Sequence, residues 1–413
     1  MINKKHIFCI FTLNPKSSFN VYKNYIESLI NEYGEFTIVN FYRYSKKKIS
    51  SKPNEKTLRK KFNNKINFFY PKNKYEFINF IKNKHVFALD SLGRDFKHFK
   101  LRLLINKKNI FLIMLINLGY ISNEWVGHLP LSIKNIFYSY YKIFNKYTYR
   151  LLVLLNIYPQ TTFYFDSRKN IVDRFKNSKI RKITLMFSKL SFLLNFLNVH
   201  RINSDIYENL LKIKKIQNNN KIIFVDGNYK HNDLIKRENL NLNLVTIKYF
   251  ELLVQKFNIL EKLFKKKVEV CLHPTSDLKV YKKYLKNFKI SKGKTFEKVS
   301  GSYMVVIHES SVIVYALMFN KIILLLETNL LGNYLLNRIH AYKNSMKLPS
   351  IDIHSTKTLL KNDILKKYSK TKNYRNKFIS GNLIHNKNKF ASTQFIKVIN
   401  NFIKNNKLHN TQF

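Results

Sequence analysis

From residue 221 to residue 326 the chain repeats a single pattern. A short apolar run stops abruptly at polar residues, a stretch with helical spacing follows, and another apolar run begins. Residues 221–225 stop at Asp226-Gly227, residues 267–272 at His273-Pro274, and residues 303–307 at His308-Glu309-Ser310-Ser311; residues 321–326 form the next run. Unbroken apolar runs mark strands buried on both faces, as in a parallel sheet covered by helices on each side. Between the runs, the spacing predicts a long helix over residues 245–265, with Tyr249, Leu252, Leu253, Phe257 and Leu260 on one face. Shorter helices are expected over 277–285, 295–299 and 312–319, and a short strand over 288–290.

The first half carries the same alternation less regularly. Residues 5–13 read as a strand bounded by Asn14-Pro15, and Ser17 or Ser18 caps a helix reaching about Tyr33, with Val21, Tyr25 and Leu29 on one face. Further strands are expected over 36–42, over 85–89 ending at Asp90-Ser91-Leu92-Gly93, and over 109–117 ending at Leu118-Gly119-Tyr120. Residues 198–203 read as another strand leading into a helix from Ser204. The polar stretch Gln217-Asn218-Asn219-Asn220 marks a linker. The expected organisation is an α/β domain over residues 1–216, a second over 217–390, and a tail over 391–413 with a terminal helix at 392–404. A chain of 413 residues is long enough to give both domains a core.

The formal charge of +51 invites a nucleic-acid reading. The lysines are spread along the whole chain, however, and no nucleic-acid-binding module is recognisable. Lys, Asn, Ile, Phe and Tyr abound, the residues that AT-rich codons encode. A solvated basic surface accounts for this composition. So does attraction to anionic lipid head groups, worth about 1 kcal/mol per nearby Lys or Arg, or steering of an anionic substrate. Two aromatic and basic stretches, at about 132–158 and 181–198, fit either interfacial helices or ordinary helices packed on a sheet. Cys9 and Cys271 both lie in apolar runs and are expected as buried free thiols of a reducing compartment. No metal-ligand spacing is found. The chain shows neither a signal-peptide pattern nor an apolar stretch of spanning length, which predicts a cytoplasmic location.

In an open parallel sheet, ligands bind beyond the carboxyl ends of the strands. The polar residues that stop the apolar runs are therefore the candidate site. Ser310 and Ser311 sit between a strand and a helix, where hydroxyls and free N–H groups suit a phosphate; an N-cap role would use the same serines. The imidazole of His273, fixed by Pro274, can bond to a phosphate or carry a proton to a leaving group, or it is a turn histidine without a ligand. Asp226 is a candidate general base, and Asp226-Gly227 is equally a common turn dipeptide. His308 ends a core strand, where bonding to the backbone also accounts for it. Gly227, His308, Glu309 and Lys294 are accessory candidates. Gly293-Lys294-Thr295 is not the end of a P-loop, because Phe288 occupies the position that needs glycine. Thr295 is expected as a helix cap.

In order and rough spacing, Asp226-Gly227, His273-Pro274 and Ser310-Ser311 resemble three short motifs shared by bacterial sialyltransferase families of GT-B fold. Lys292-Gly293-Lys294-Thr295 and His308-Glu309-Ser310-Ser311 are similar to a wider group of surface-polysaccharide glycosyltransferase-like proteins. Val225 stands where the sialyltransferases usually carry an acidic residue. The resemblance implies two Rossmann-like domains of GT-B type with parallel sheets. It also implies a nucleotide-sugar donor, a glycan or lipid-linked glycan acceptor, and neither metal nor cofactor. By the same resemblance Asp226 would be the base, and His273, Ser310 and Ser311 would bind the donor phosphate. The alternatives are a sugar-nucleotide epimerase or polyol-phosphate transferase on the same fold, or a non-catalytic basic protein that binds nucleic acid or membrane.

Overall fold

The computed structural model describes residues 5–13, 15–44, 55–62, 64–92, 98–116, 161–167, 198–212, 220–227, 242–273, 276–356 and 360–406, with a few single positions between them. The chain divides into two compact units. The first comprises Met1–Leu118, Ile136–Glu208 and Ile384–Phe413, and the second comprises Gly119–Asn135 and Asn209–Leu383. The linker expected at 217–220 and the stretches at 132–158 and 181–198 fall outside the described residues, apart from single positions. No helix among the described residues is long and apolar enough to cross a membrane.

The first unit is built on β1 (Lys5–Thr12), β2 (Phe36–Asn40), β3 (Ile66–Phe69), β4 (Lys84–Asp90), β5 (Ile110–Ile116), β6 (Thr161–Asp166) and β7 (Asn198–Arg201). They form one sheet in the order β3-β2-β1-β4-β5-β6-β7, with every neighbouring pair parallel. Alternation along each strand divides the core in two. Phe8, Ile10, Phe87 and Leu89 face one side, with the helices Pro15–Tyr33 and Ala391–Asn405; Cys9, Phe11, Val86 and Ala88 face the other, with Phe77 and Leu101. Sequence reading missed β3 and β6. The former is only four residues long, and the latter alternates buried and half-buried positions, so neither shows a long apolar run.

The terminal helix belongs to this first unit. Its apolar face, Phe395, Ile396, Ile399 and Ile403, is buried, and the Phe395 ring meets Tyr25 edge-on at 5.2 Å. The chain is held on the way there by polar clamps. Asn203 Nδ2 donates to the carbonyls of Asn386 and Lys389, both at 2.6 Å, and its Oδ1 accepts from the N–H groups of His385 and Asn386. The Glu208 carboxylate accepts from the Ser392 N–H at 2.8 Å and from its hydroxyl at 2.9 Å.

In the second unit β8 (Ile222–Val225), β9 (Val268–Leu272), β10 (Lys289–Lys292), β11 (Met304–Ile307), β12 (Ile322–Glu327) and β13 (Ser350–Asp352) form a parallel sheet in the order β10-β9-β8-β11-β12-β13. The expected strands and helices of residues 221–326 are all present, with ends shifted by a few residues. One local expectation is corrected. Thr295 is the first residue of the helix Thr295–Gly301, and the cap position is held by Lys294 in left-handed conformation (φ 54°) without a side-chain cap bond. Both cysteines are free and buried, as expected. Burial pushes the Cys271 thiol up to about 11.

A buried ion pair secures the carboxyl edge of the first sheet. Asp90, the last residue of β4, accepts from Arg102 Nη1 at 2.8 Å, and both side chains are almost wholly removed from solvent. Arg102 Nη2 also donates to the Leu92 carbonyl at 2.6 Å, and Asp90 Oδ1 accepts from the Leu92 N–H. Removing one partner strands the other charge in the interior. Arg102→Ala is therefore expected to cost about 3–5 kcal/mol, read as a lower urea midpoint. A loss no larger than that of a surface Arg→Ala control would refute this account of the pair.

Candidate functional site

The second sheet changes direction once. From β8 the chain winds outward through β9 and β10, then returns to the other side of β8 and winds outward again through β11, β12 and β13. The carboxyl ends of β8 and β11 flank this reversal, and Val225 is in register with Ile307. Crossovers leave β8 and β11 in opposite directions, which opens a crevice between their ends. Asp226-Gly227 and His308-Glu309-Ser310-Ser311 begin at that point.

Gly227 is there because the chain comes close. A Cβ at this position would lie 3.0 Å from the Glu309 carbonyl oxygen, so a side chain would force the two strand ends apart. Asp226 is buried, and its main-chain N–H donates to the Cys271 carbonyl at 2.9 Å. One carboxylate oxygen accepts from the Ser276 hydroxyl at 2.5 Å and the other from the Tyr281 hydroxyl at 2.6 Å. Hydrogen bonds to a charged group contribute about 1.5–3 kcal/mol each, which makes the buried carboxylate tenable. They also clasp the segment after β9 onto the end of β8. His273 lies on that segment: it is exposed, and its carbonyl accepts from the Ser276 N–H at 3.0 Å. Lys292, at the end of β10, ties in from the other side by donating to the Ser276 carbonyl at 3.0 Å. Asp226, Gly227, His273 and Glu309 are thus brought together through a connected set of bonds and close approaches.

Ser310 and Ser311 are half-buried. The Ser310 hydroxyl accepts from the Val312 N–H at 3.2 Å, which leaves its own proton to donate. The carbonyls of Ser310 and Ser311 take the N–H groups of Ile313 and Val314, which begins the helix Ile313–Met318. Glu309 is ion-paired with Arg338. Burial raises the Glu309 pKa, and the Arg338 charge offsets only part of that rise.

Two accessory candidates stand apart. Lys294 is exposed beyond β10, with β9 intervening before β8, so it is not gathered at the reversal. His308 is buried and both ring nitrogens are engaged. Nδ1 lies 2.7 Å from the Leu326 carbonyl, which can only accept, so Nδ1 carries the proton. Nε2 then accepts from the Tyr249 hydroxyl at 2.8 Å. This neutral imidazole joins β11 to β12 and to the long helix Leu242–Phe264.

Glu327, passed over in the sequence, ends β12 on the same edge. Burial opposes its ionisation, but bonds from Lys343 (2.7 Å), Ser350 and His340 (3.0 Å) outweigh it, and the net shift of its pKa is downward. The signal was available: Glu327 stops an apolar run just as Asp226 and His308 do. The partners Ser276, Tyr281 and Arg338 gave no such signal, since each sits in ordinary helical or loop sequence. Among the described residues, no group of three or more His, Cys, Asp or Glu side chains converges as a metal site.

No protein-family model matches this sequence, and no curated protein matches it by sequence. Solved structures match by shape. A putative UDP-N-acetylglucosamine 2-epimerase from Listeria monocytogenes is similar with a TM-score of 0.51 and 13% identity, over 97% of this chain and 97% of that one. The wall teichoic acid polymerase TagF is similar with a TM-score of 0.50 and 12% identity, over 98% of this chain and 90% of that one. The fold is of GT-B type: two Rossmann-like units with parallel sheets. At such identities the likeness is one of fold.

Burial pushes the pKa of His308 from the ordinary 6.5 down to about 4. Between those values the unfolded chain takes up a proton that the folded chain refuses. Stability therefore falls as pH drops through this window, by roughly 3 kcal/mol over its whole span. Urea unfolding at pH 7 and at pH 4.5 should show the fall, and His308→Gln should flatten it while lowering stability at pH 7. Equal slopes in both proteins would remove His308 as the cause.

Proposed function

We propose that this chain is a glycosyltransferase. It moves a sugar from a nucleotide-sugar donor to a surface glycan or lipid-linked acceptor, without a metal and with inversion. The observation that carries the reading is the meeting of Asp226-Gly227 with Glu309-Ser310-Ser311 at the reversal of the second sheet. Gly227 keeps that point clear of side chain, and two half-buried serines stand beside it. Two fold neighbours are described as a UDP-N-acetylglucosamine 2-epimerase and a wall teichoic acid polymerase, in keeping with a nucleotide-activated substrate. The motif order favours a relation to the bacterial sialyltransferases, whereas Val225 departs from them.

In this reading the donor phosphate is held by the hydroxyls of Ser310 and Ser311, with His273 donating to it or to the departing oxygen. Asp226 takes the proton of the acceptor hydroxyl. The acceptor oxygen bonds to the anomeric carbon from the side opposite the nucleotide, the bond to phosphate breaks, and the configuration inverts. Ser276 and Tyr281 each take one acceptor position of Asp226, and a carboxylate offers about four, so lone pairs remain for the acceptor proton. The reading places the enzyme on the cytoplasmic side, at the membrane face, where a lipid-linked acceptor would be met.

A thermal-shift screen with CMP, CDP, UDP, GDP and dTDP tests the donor site. A nucleotide at about 100 times its dissociation constant stabilises the fold by about 2.7 kcal/mol, and Ser311→Ala should abolish the shift. Folded protein that responds to no nucleotide would sink the reading.

The role of Asp226 has its own test. As the base, Asp226→Asn should lower turnover by about 10²–10⁴-fold while nucleotide affinity is kept. If affinity collapses with turnover, and Ser276→Ala does the same, Asp226 is a clasp for the His273 segment instead.

A further inference from the structure

The opposite, amino-terminal edge of the first sheet holds a lysine-lined site that plays no part in the reading above. One turn leads into β4 and another into β5, and between them lies a cavity of about 480 Å³. Its polar lining includes Lys82, Lys84, Lys107 and Lys108, with His85 and Asn109, and no acidic side chain contributes. The volume falls within the range of roughly 300–1,000 Å³ typical of small-molecule sites.

The two lysine-bearing turns are braced against each other. Asn109 Nδ2 donates to the Ile81 carbonyl at 2.9 Å and to the Lys84 carbonyl at 2.8 Å, and the Asn109 carbonyl accepts from the Val86 N–H at 2.8 Å. One asparagine therefore fixes the spacing of both turns before any ligand arrives, which cuts the ordering cost of binding.

Helix ends do not balance the charge. The helices Lys74–Ile81 and Phe99–Ile105 finish at this edge, and each C-terminus presents about half a negative charge. Together they offset about one of the four lysine charges. Glu35 acts on Lys84, but it is bonded to Lys5 at 3.1 Å and to Asn67 at 3.1 Å. Lys84 is also partly buried, with Nζ 4.9 Å from the Phe80 ring centre. Burial, and then the neighbouring Lys5 charge, lower its pKa. An anion in the cavity would relieve both effects.

We propose that this cavity binds a phosphate group, carried either by a free phosphorylated small molecule or by the head group of an anionic phospholipid. With 75 Lys and Arg against 24 Asp and Glu, any anion will be attracted to this protein, so the experiment must separate the site from the bulk field. Full-length protein is titrated with inorganic pyrophosphate by calorimetry at fixed salt. In parallel it is sedimented with phosphatidylglycerol vesicles and with phosphatidylcholine vesicles. Wild type is compared with the fourfold variant Lys82→Gln, Lys84→Gln, Lys107→Gln, Lys108→Gln. A charge-matched control carries Lys361→Gln, Lys366→Gln, Lys367→Gln and Lys370→Gln, four exposed positions of the second unit.

The cavity variant should lose roughly tenfold or more in affinity, and the control less than about twofold. Asn109→Ala, which keeps every lysine, should weaken binding as well. Loss confined to pyrophosphate identifies a free ligand, and loss confined to phosphatidylglycerol identifies a lipid head group. Equal losses in the two fourfold variants, or no binding by wild type to either probe, overturn the proposal.

Discussion

A parallel sheet covered on both faces has nowhere to put a polar side chain except at its ends. Every residue of β8, β9 and β11 is buried; Glu269, paired with lysines near the start of β9, is the one charged residue among them, and at the carboxyl ends polarity begins one residue later, at Asp226, His273 and His308. That restriction decides where chemistry can sit. It also sets the conditions for each polar group, because a carboxylate at a strand end is still half inside the core. Asp226 is tolerated because two hydroxyls donate to it, and those same bonds hold the segment that carries His273. His308 is tolerated because it stays neutral and has both nitrogens satisfied. Two residues with the same sequence signature thus have different fates, one clasping the segment after β9 and one stitching strands together.

The scarcity of acids makes each one informative. In a chain so rich in lysine, a carboxylate left on the surface would find cations everywhere, yet many described acids are spent inside. Asp90 is matched with Arg102, Glu208 with the start of the terminal helix, Glu269 with Lys221 and Lys298, Glu309 with Arg338, and Glu327 with Lys343 and His340. Several sit at strand ends, where they fix a loop or a helix against the sheet edge. The net charge is therefore a property of the surface, while the interior is organised by a small set of matched carboxylates.

Much of the second unit was readable because β8, β11 and β12 are short, uninterrupted apolar runs with abrupt polar stops. The first unit was less so. Short or alternating strands such as Ile66–Phe69 and Thr161–Asp166 resemble loop sequence, and only pairing with a neighbour makes them strands. The return of Ile384–Phe413 to the first unit was also hidden. It depends on Asn203 and Glu208 meeting backbone more than 180 residues away, and a local window holds no trace of so distant a contact. At the site, Asp226, His273, Ser310 and Ser311 could be named from the chain, but Ser276 and Tyr281 could not, because nothing in their own neighbourhood marks them.

The sequence by itself determined the α/β class, the positions of most strands, and the residues that stop them. Those follow from local periodicity and from the cost of burying polar groups, both of which act over a few residues. Only the tertiary structure decided strand order, and with it which strand ends stand side by side. The reversal between β8 and β11 puts Gly227 against Glu309, and the packing of Ser276 and of the helix Leu278–Tyr284 puts two hydroxyls on Asp226. Neither is a local property: each depends on contacts between segments far apart in the chain, whose pairing is settled by how the whole sheet packs.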